Sequence, residues 1–158
     1  EWRTWDALTP AQRDPFAGMS PKPTGFYSTL GPAVDWRANE PWYNAHPTTR
    51  LRFDVAAGSH RLRTTVVLPE ATYASTDPAN PPTDGVEIRV IVREGETKRR
   101  LLYARLLDPA KNPGDRGVQT IDLPFELTHA AQLDLCFGPG PQGNDRYDWI
   151  SLGRVTIE

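Results

Sequence analysis

Residues 50–68 read RLRFDVAAGSHRLRTTVVL, and their periodicity decides the fold class. Leu51, Phe53 and Val55 alternate with Arg52 and Asp54. Beyond Gly58-Ser59, the residues Leu62, Thr64, Val66 and Leu68 repeat the same two-residue period. Successive side chains on a strand point to opposite faces, so each run buries one face and wets the other. Gly58-Ser59 supplies turn chemistry, and the two runs are expected to lie side by side as antiparallel strands.

The same reading extends toward the C-terminus. Val86, Ile88, Val90 and Val92 interleave with Glu87, Arg89 and Arg93, and Glu94-Gly95-Glu96 turns the chain into an apolar run at 101–107. Further strands are expected at 118–123, 132–137 and 149–157, with polar loops at 73–84 and 108–117. Seven or eight short strands with almost no helix predict an all-β fold, a two-sheet antiparallel β-sandwich of the jelly-roll type. Sixteen prolines and twelve glycines in 158 residues agree, because that much punctuation breaks long helices.

The first 44 residues read as an irregular, Trp- and Pro-rich lead-in to a jelly-roll core at 45–158, the whole of 1–158 being taken as a single domain. Four of the five tryptophans fall there, at Trp2, Trp5, Trp36 and Trp42. Thr9-Pro10 has a capping residue before a proline, the start of a helical turn that Pro15 soon ends. A first short strand is expected at 25–30.

Composition excludes several classes of function. A formal net charge of −2 lacks the positive excess of a nucleic-acid binder. No apolar run approaches the length needed to span a bilayer. The single cysteine, Cys136, sits between Leu135 and Phe137 and reads as a small buried hydrophobe. The chain begins at Glu1 without an initiator methionine, and is read as part of a larger protein.

Catalytic signals are weak. Gly138-Pro139-Gly140-Pro141-Gln142-Gly143 has the G-x-G-x-x-G spacing, but Pro139 and Pro141 have no N–H to offer a pyrophosphate and no helical pattern follows. It reads as a turn. His46, His60 and His129 are scattered and form no zinc spacing, and no serine lies in a nucleophile elbow. Aspartates pair in three loops, at Asp77 and Asp84, Asp108 and Asp115, and Asp145 and Asp148. Such pairs suit turns capped by carboxylates, and also calcium, with Asp145 and Asp148 as the metal candidates. No organic cofactor is expected, and the chain is read as a non-enzyme.

The aromatics carry more information. Trp36, Trp42, Tyr43, Tyr73 and Tyr147 lie in or beside polar, Pro-rich segments. A flat ring beside hydrogen-bonding side chains suits a sugar, which has an apolar C–H face and a hydroxyl rim. These five are expected to stack on glycan, with Asp84, Asn144 and Arg146 as hydrogen-bond partners.

Three segments extend this reading. Residues 45–53 (AHPTTRLRF), 83–90 (TDGVEIRV) and 143–149 (GNDRYDW) resemble, in order, the opening strand, a central strand and the closing segment of NPCBM-type carbohydrate-binding modules. The family's closing His-Ala-Asp-Trp stands here as Arg146-Tyr147-Asp148-Trp149, without the histidine. The retained Asp-Trp pair is as suited to anchoring the last strand as to touching ligand. The resemblance implies a galactose-binding-like jelly roll, non-catalytic, attached to a larger extracytoplasmic or membrane-attached protein and binding glycan or polysaccharide. The alternative is a structural or protein-interaction sandwich of a bacterial envelope protein with no sugar site. In that case the lead-in tryptophans would be buried.

Overall fold

The computed structural model describes residues 2–30, 33–143 and 146–158. The strands, in chain order, are β1 (Trp2–Thr4), β2 (Met19–Ser20), β3 (Gly25–Ser28), β4 (Ala33–Arg37), β5 (Glu40–Ala45), β6 (Thr49–Val55) and β7 (Gly58–Val67). They continue with β8 (Val86–Glu94), β9 (Lys98–Leu107), β10 (Gln119–Leu127), β11 (Ala131–Pro139), β12 (Ile150–Leu152) and β13 (Val155–Ile157). One α-helical turn, α1 (Pro10–Arg13), follows β1; Thr9 and Gln12 close a reciprocal capping box at its start. The expected turn at Thr9-Pro10 is therefore formed, and a 3₁₀ turn at Asp14–Phe16 ends it.

Two sheets stack as a sandwich. The first has the order β1-β3-β6-β11-β8-β9. The second runs β2-β13-β7-β12-β5-β4, with β10 on the other edge of β7. Strands β12 and β13 share one edge of β7, Leu152 facing Val66 and Ile157 facing Leu62. Gly153 stands between them and donates its N–H to the Thr65 carbonyl at 2.8 Å. A side chain there would run into the Thr65 hydroxyl and the Trp42 ring, so the close approach requires glycine.

The core lies between the sheets and follows the period read from the sequence. Leu51 and Phe53 of β6, Leu133, Leu135 and Phe137 of β11 and Val86, Ile88, Val90 and Val92 of β8 face inward from one sheet. Leu62 and Val66 of β7, Ile121 of β10 and Ile150 and Leu152 of β12 meet them from the other. The intervening residues of β6 and β8, polar except for Ile91, turn outward, which leaves the outer face of the first sheet rich in arginine.

One expectation is corrected. Strands β6 and β7 do not form a hairpin: β6 lies between β3 and β11, whereas β7 pairs with β10, β12 and β13. Only Ala56 and Ala57 separate them, and Gly58 at φ +136° turns the chain across the core into the opposite sheet. Alternation alone does not distinguish the two geometries. Each strand presents one apolar face, whether the faces lie side by side or oppose each other. The β8–β9 hairpin, in contrast, forms as expected around Gly95 at φ +74°.

The lead-in is woven into both sheets. β1 and β3 extend the first sheet; β2, β4 and most of β5 belong to the second. Between them Phe16 is fully buried against Phe26, Tyr43 and the edge of Trp5, at ring distances of 5.4, 5.1 and 5.8 Å.

Candidate functional site

The loops at one end of the sandwich converge on two buried carboxylates. Between β7 and β8 the chain loops through residues 68–85, and between β11 and β12 through 140–149. Thr83 ties them: its hydroxyl accepts the Gly85 N–H at 3.0 Å and donates to Asp148 Oδ1. Asp84 Oδ2 accepts the Gln142 N–H at 2.6 Å. Gly140 packs so closely under Asp84 that a Cβ would come within 2.6 Å of its carbonyl oxygen. Here glycine is required by contact, where the sequence showed only a turn.

This anchor has an electrostatic cost. Asp148 is fully buried, and burial pushes its carboxyl up to about 6, with the nearby Asp84 carboxylate adding to the effect. The Thr83 hydroxyl, the Gly140 N–H and His46 pull the other way. Asp148 Oδ2 and Asp84 Oδ1 are buried without a hydrogen-bond partner.

Beside the anchor lie two adjoining depressions. His46, Asn80, Arg146, Tyr147 and Trp149 line one, of about 340 Å³. Leu30, Ala33, Asn44, His46 and Trp149 line the other, of about 190 Å³. Trp149 and His46 are common to both, so the two form a trough with an indole at its middle. Trp149 is 49% exposed because it immediately precedes β12, whose first residue, Ile150, points into the core. Tyr147 adopts φ +60°, an uncommon conformation for a side chain of this size. Its hydroxyl donates to Asn80 Oδ1 at 3.3 Å and so joins the two loops. The His46 Nδ1–H donates to the Pro47 carbonyl at 2.8 Å, which fixes the orientation of the ring.

Larger depressions occur elsewhere. One of about 630 Å³ is lined by Asp54, Arg93, Glu96 and Gln132 among others, and one of about 490 Å³ by Gly18 to Lys22 with Arg154 and Thr156. Neither is lined by an aromatic ring. The trough combines a flat apolar surface with donors and acceptors at its rim, the arrangement that suits a sugar ring.

The residues singled out from sequence divide sharply. Arg146 and Tyr147 line the trough. Tyr43 does not: it is 1% exposed, a core residue against Phe16, and has no surface on which a sugar could stack. Asp84 is likewise buried, bonded to loop backbone instead of presented to solvent. Trp42 lies half-buried against Gly153 with the Arg37 guanidinium 5.8 Å from its ring centre, and Trp36 is 68% exposed on the edge strand β4. Tyr73 lies under the Arg116 guanidinium at 5.4 Å. None of these three lines the trough. Asn144 and the metal candidate Asp145 fall outside the described residues. Asp148, the other metal candidate, is the loop anchor, and among the described residues no group of three or more His, Cys, Asp or Glu side chains converges on one point.

Trp149, His46, Asn80 and Asn44 were not among the expected sugar-binding residues. For Trp149 the signal was present, since an aromatic one position before a buried strand residue must face outward. For the others only the meeting of distant loops reveals their place in the trough.

No described protein family matches the sequence. A 77-residue stretch is 29% identical to an uncharacterized protein of Archaeoglobus fulgidus and covers 48% of this chain but only 19% of that relative's length. Among solved structures, the CBM22-1 xylan-binding domain of Paenibacillus barcinonensis Xyn10C is similar with a TM-score of 0.52 and 12% identity, over 92% of this chain and 90% of that one. The CBM51-2 and INT domains of Clostridium perfringens ZmpB give 0.53 at 10% identity, covering 98% of this chain and 31% of theirs. The K3 adhesin domain of Porphyromonas gingivalis Lys-gingipain gives 0.52 at 13%, covering 84% and 89%. At these identities the likeness establishes the fold, a β-sandwich of the kind seen in carbohydrate-binding modules.

Proposed function

We propose that this chain is a non-catalytic carbohydrate-binding module that seats a glycan in the loop-end trough, as part of a larger extracytoplasmic protein. The observation that carries the reading is Trp149, a half-exposed indole shared by two adjoining depressions and rimmed by His46, Asn44, Asn80, Arg146 and Tyr147. The ring offers a platform for a sugar's C–H face, and the rim supplies hydrogen bonds to hydroxyls. The described similarity to a xylan-binding domain and to an adhesin domain supports a binding role for the sandwich. The burial of Asp84 and Asp148 in loop anchoring supports a non-catalytic one, since neither carboxylate faces the trough rim as an acid–base pair would.

The site is shallow, so affinity should be modest and concentrated in the ring. Removing a stacked indole forfeits about 2–3 kcal/mol of buried area and stacking, roughly a 30- to 150-fold loss of affinity. Affinity electrophoresis through gels containing soluble neutral polysaccharides, xylan among them, tests this. The intact chain should be retarded by at least one polysaccharide, Trp149→Ala should migrate freely, and Trp36→Ala should be retarded like the parent. Retardation that survives Trp149→Ala would place the ligand elsewhere on the molecule.

A further inference from the structure

The outer face of the first sheet is unpartnered and carries a charge pattern that the trough does not use. One row of side chains crosses it at right angles to the strands. The registers place Trp2 beside Tyr27, Tyr27 beside Arg50, Arg50 beside Cys136 and Cys136 beside Arg89. Four inter-strand steps make this row about 19 Å long, with Arg50 and Arg89 about 10 Å apart on either side of the small Cys136. On the flanking row, Arg52 grips the buried Asp134 through both oxygens at 2.7 and 2.9 Å, and Arg93, one row further on, approaches the same carboxylate at 3.9 Å. Arg89 pairs with Glu87 at 2.7 Å.

Arg50 differs from the other three. Among the described residues it alone of the four has no carboxylate within ion-pair distance; its Nε, like that of Arg93, is buried without a hydrogen-bond partner. Its guanidinium lies 5.9 Å from the centre of the Trp2 ring, which also stacks against Arg52 at 4.2 Å and overlies Gly25. Among the described residues, the outer faces of β6, β11 and β8 hold four guanidiniums, Arg50, Arg52, Arg89 and Arg93, against three carboxylates, Asp54, Glu87 and Asp134, in a chain whose formal net charge is −2. Asp54 shares its row with Arg93 and accepts from Gln132, which stands between them, at 3.2 Å.

We propose that this face is a second binding surface, separate from the trough, and that its ligand is a linear acidic polysaccharide whose carboxylates are held by Arg50 and Arg89 while a sugar ring rests on Trp2 and Tyr27. Charge complementarity selects an anion, and the arginine fork matches a planar carboxylate through two parallel hydrogen bonds. The middle of a sheet selects the kind of polymer. An extended peptide docks by adding to an exposed edge, whose backbone groups are free to pair. On this face the backbone of β6, β11 and β8 is already paired on both sides, so recognition falls to side chains alone. A chain of rigid rings with regularly spaced carboxylates fits two arginines at a fixed separation beside an aromatic platform.

Polygalacturonate is the probe, with xylan as the uncharged comparison and polyglutamate as the acidic-peptide comparison. By isothermal titration at low and moderate salt, the intact chain should bind polygalacturonate, and more weakly as salt rises. The Arg50→Ala/Arg89→Ala variant should lose at least tenfold in affinity, with an unchanged near-ultraviolet circular dichroism spectrum. Trp149→Ala should bind polygalacturonate like the parent, which separates this surface from the trough. If the double variant fails to fold, Arg89→Ala alone, whose side chain is half exposed, should still show a measurable loss. Three results overturn the proposal: no binding of polygalacturonate by the folded chain, equal binding by the arginine variants, or polyglutamate bound as tightly as polygalacturonate.

Discussion

Replacing Phe16 by alanine is expected to destabilise the fold by about 3–5 kcal/mol, the usual range for deleting a fully buried aromatic ring. The ring fills the space between Phe26 of β3, Tyr43 of β5 and Trp5. Phe26 and Tyr43 belong to strands of opposite sheets and Trp5 to the turn after β1, so the cavity would open where the two sheets are linked by the first 44 residues. A urea titration followed by tryptophan fluorescence measures the loss as a lower midpoint with an unchanged slope. A change below about 1 kcal/mol would mean that the lead-in packs as an appendage, and the account of the core would fail.

That result bears on what could be read from sequence. Strand period was legible wherever one face is buried and the other wet, as in β6, β8 and β11, because alternation is a direct consequence of strand geometry. The lead-in was not, because β1, β2 and β4 are short edge strands of two to five residues, interrupted by turns and prolines, with too few positions for a period to appear. Pairing was equally hidden. The runs at 51–55 and 62–68 look like hairpin partners yet stack across the core, since the two arrangements bury the same side chains.

The site was legible only in part, for a related reason. Exposure was judged from the polarity of sequence neighbours, and Tyr43 shows where that fails: it sits between Trp42 and Asn44 but points inward because position 43 has the core parity of β5. The parity that hid Tyr43 exposes Trp149. Asp84 and Asp148 were recognisable as loop carboxylates, but their joint task of holding two loops together depends on Thr83, Gly140 and Gln142 meeting across some sixty positions of chain.

Asp148→Asn is expected to stabilise the protein at neutral pH and above, by an amount on the order of 2–3 kcal/mol. Burial, reinforced by the Asp84 carboxylate, raises the folded-state value of Asp148 to about 6, against roughly 3.9 for an unfolded aspartate. Between those values the folded state holds a proton that the unfolded state has released. The contribution of Asp148 is therefore fully favourable below about pH 4 and is lost as pH rises through 6. An asparagine carries no charge at any pH. It keeps an oxygen for the Thr83 hydroxyl and the Gly140 N–H, and it brings an amide donor to a site where two carboxylate oxygens have none.

Thermal unfolding of both proteins from pH 4 to pH 8 checks this. The melting temperatures should nearly coincide at pH 4 and separate by about 5–10 °C at pH 8, the variant being higher. A variant less stable than the parent at every pH would mean that Asp148 is held as a charged group, and the proton linkage described here would be wrong.

The central claim is that glycan seats at the loop-end trough, against Trp149. It is tested most directly by ¹H–¹⁵N correlation spectra of the labelled chain, titrated with oligosaccharides of whichever polysaccharide retards it. The Trp149 indole resonance is expected to shift first and furthest, together with the backbone signals of His46, Asn80 and Tyr147, while the indoles of Trp36 and Trp42 stay in place. Saturable shifts confined to Trp36, Trp42 or the outer face of the first sheet, with Trp149 unmoved, would contradict it.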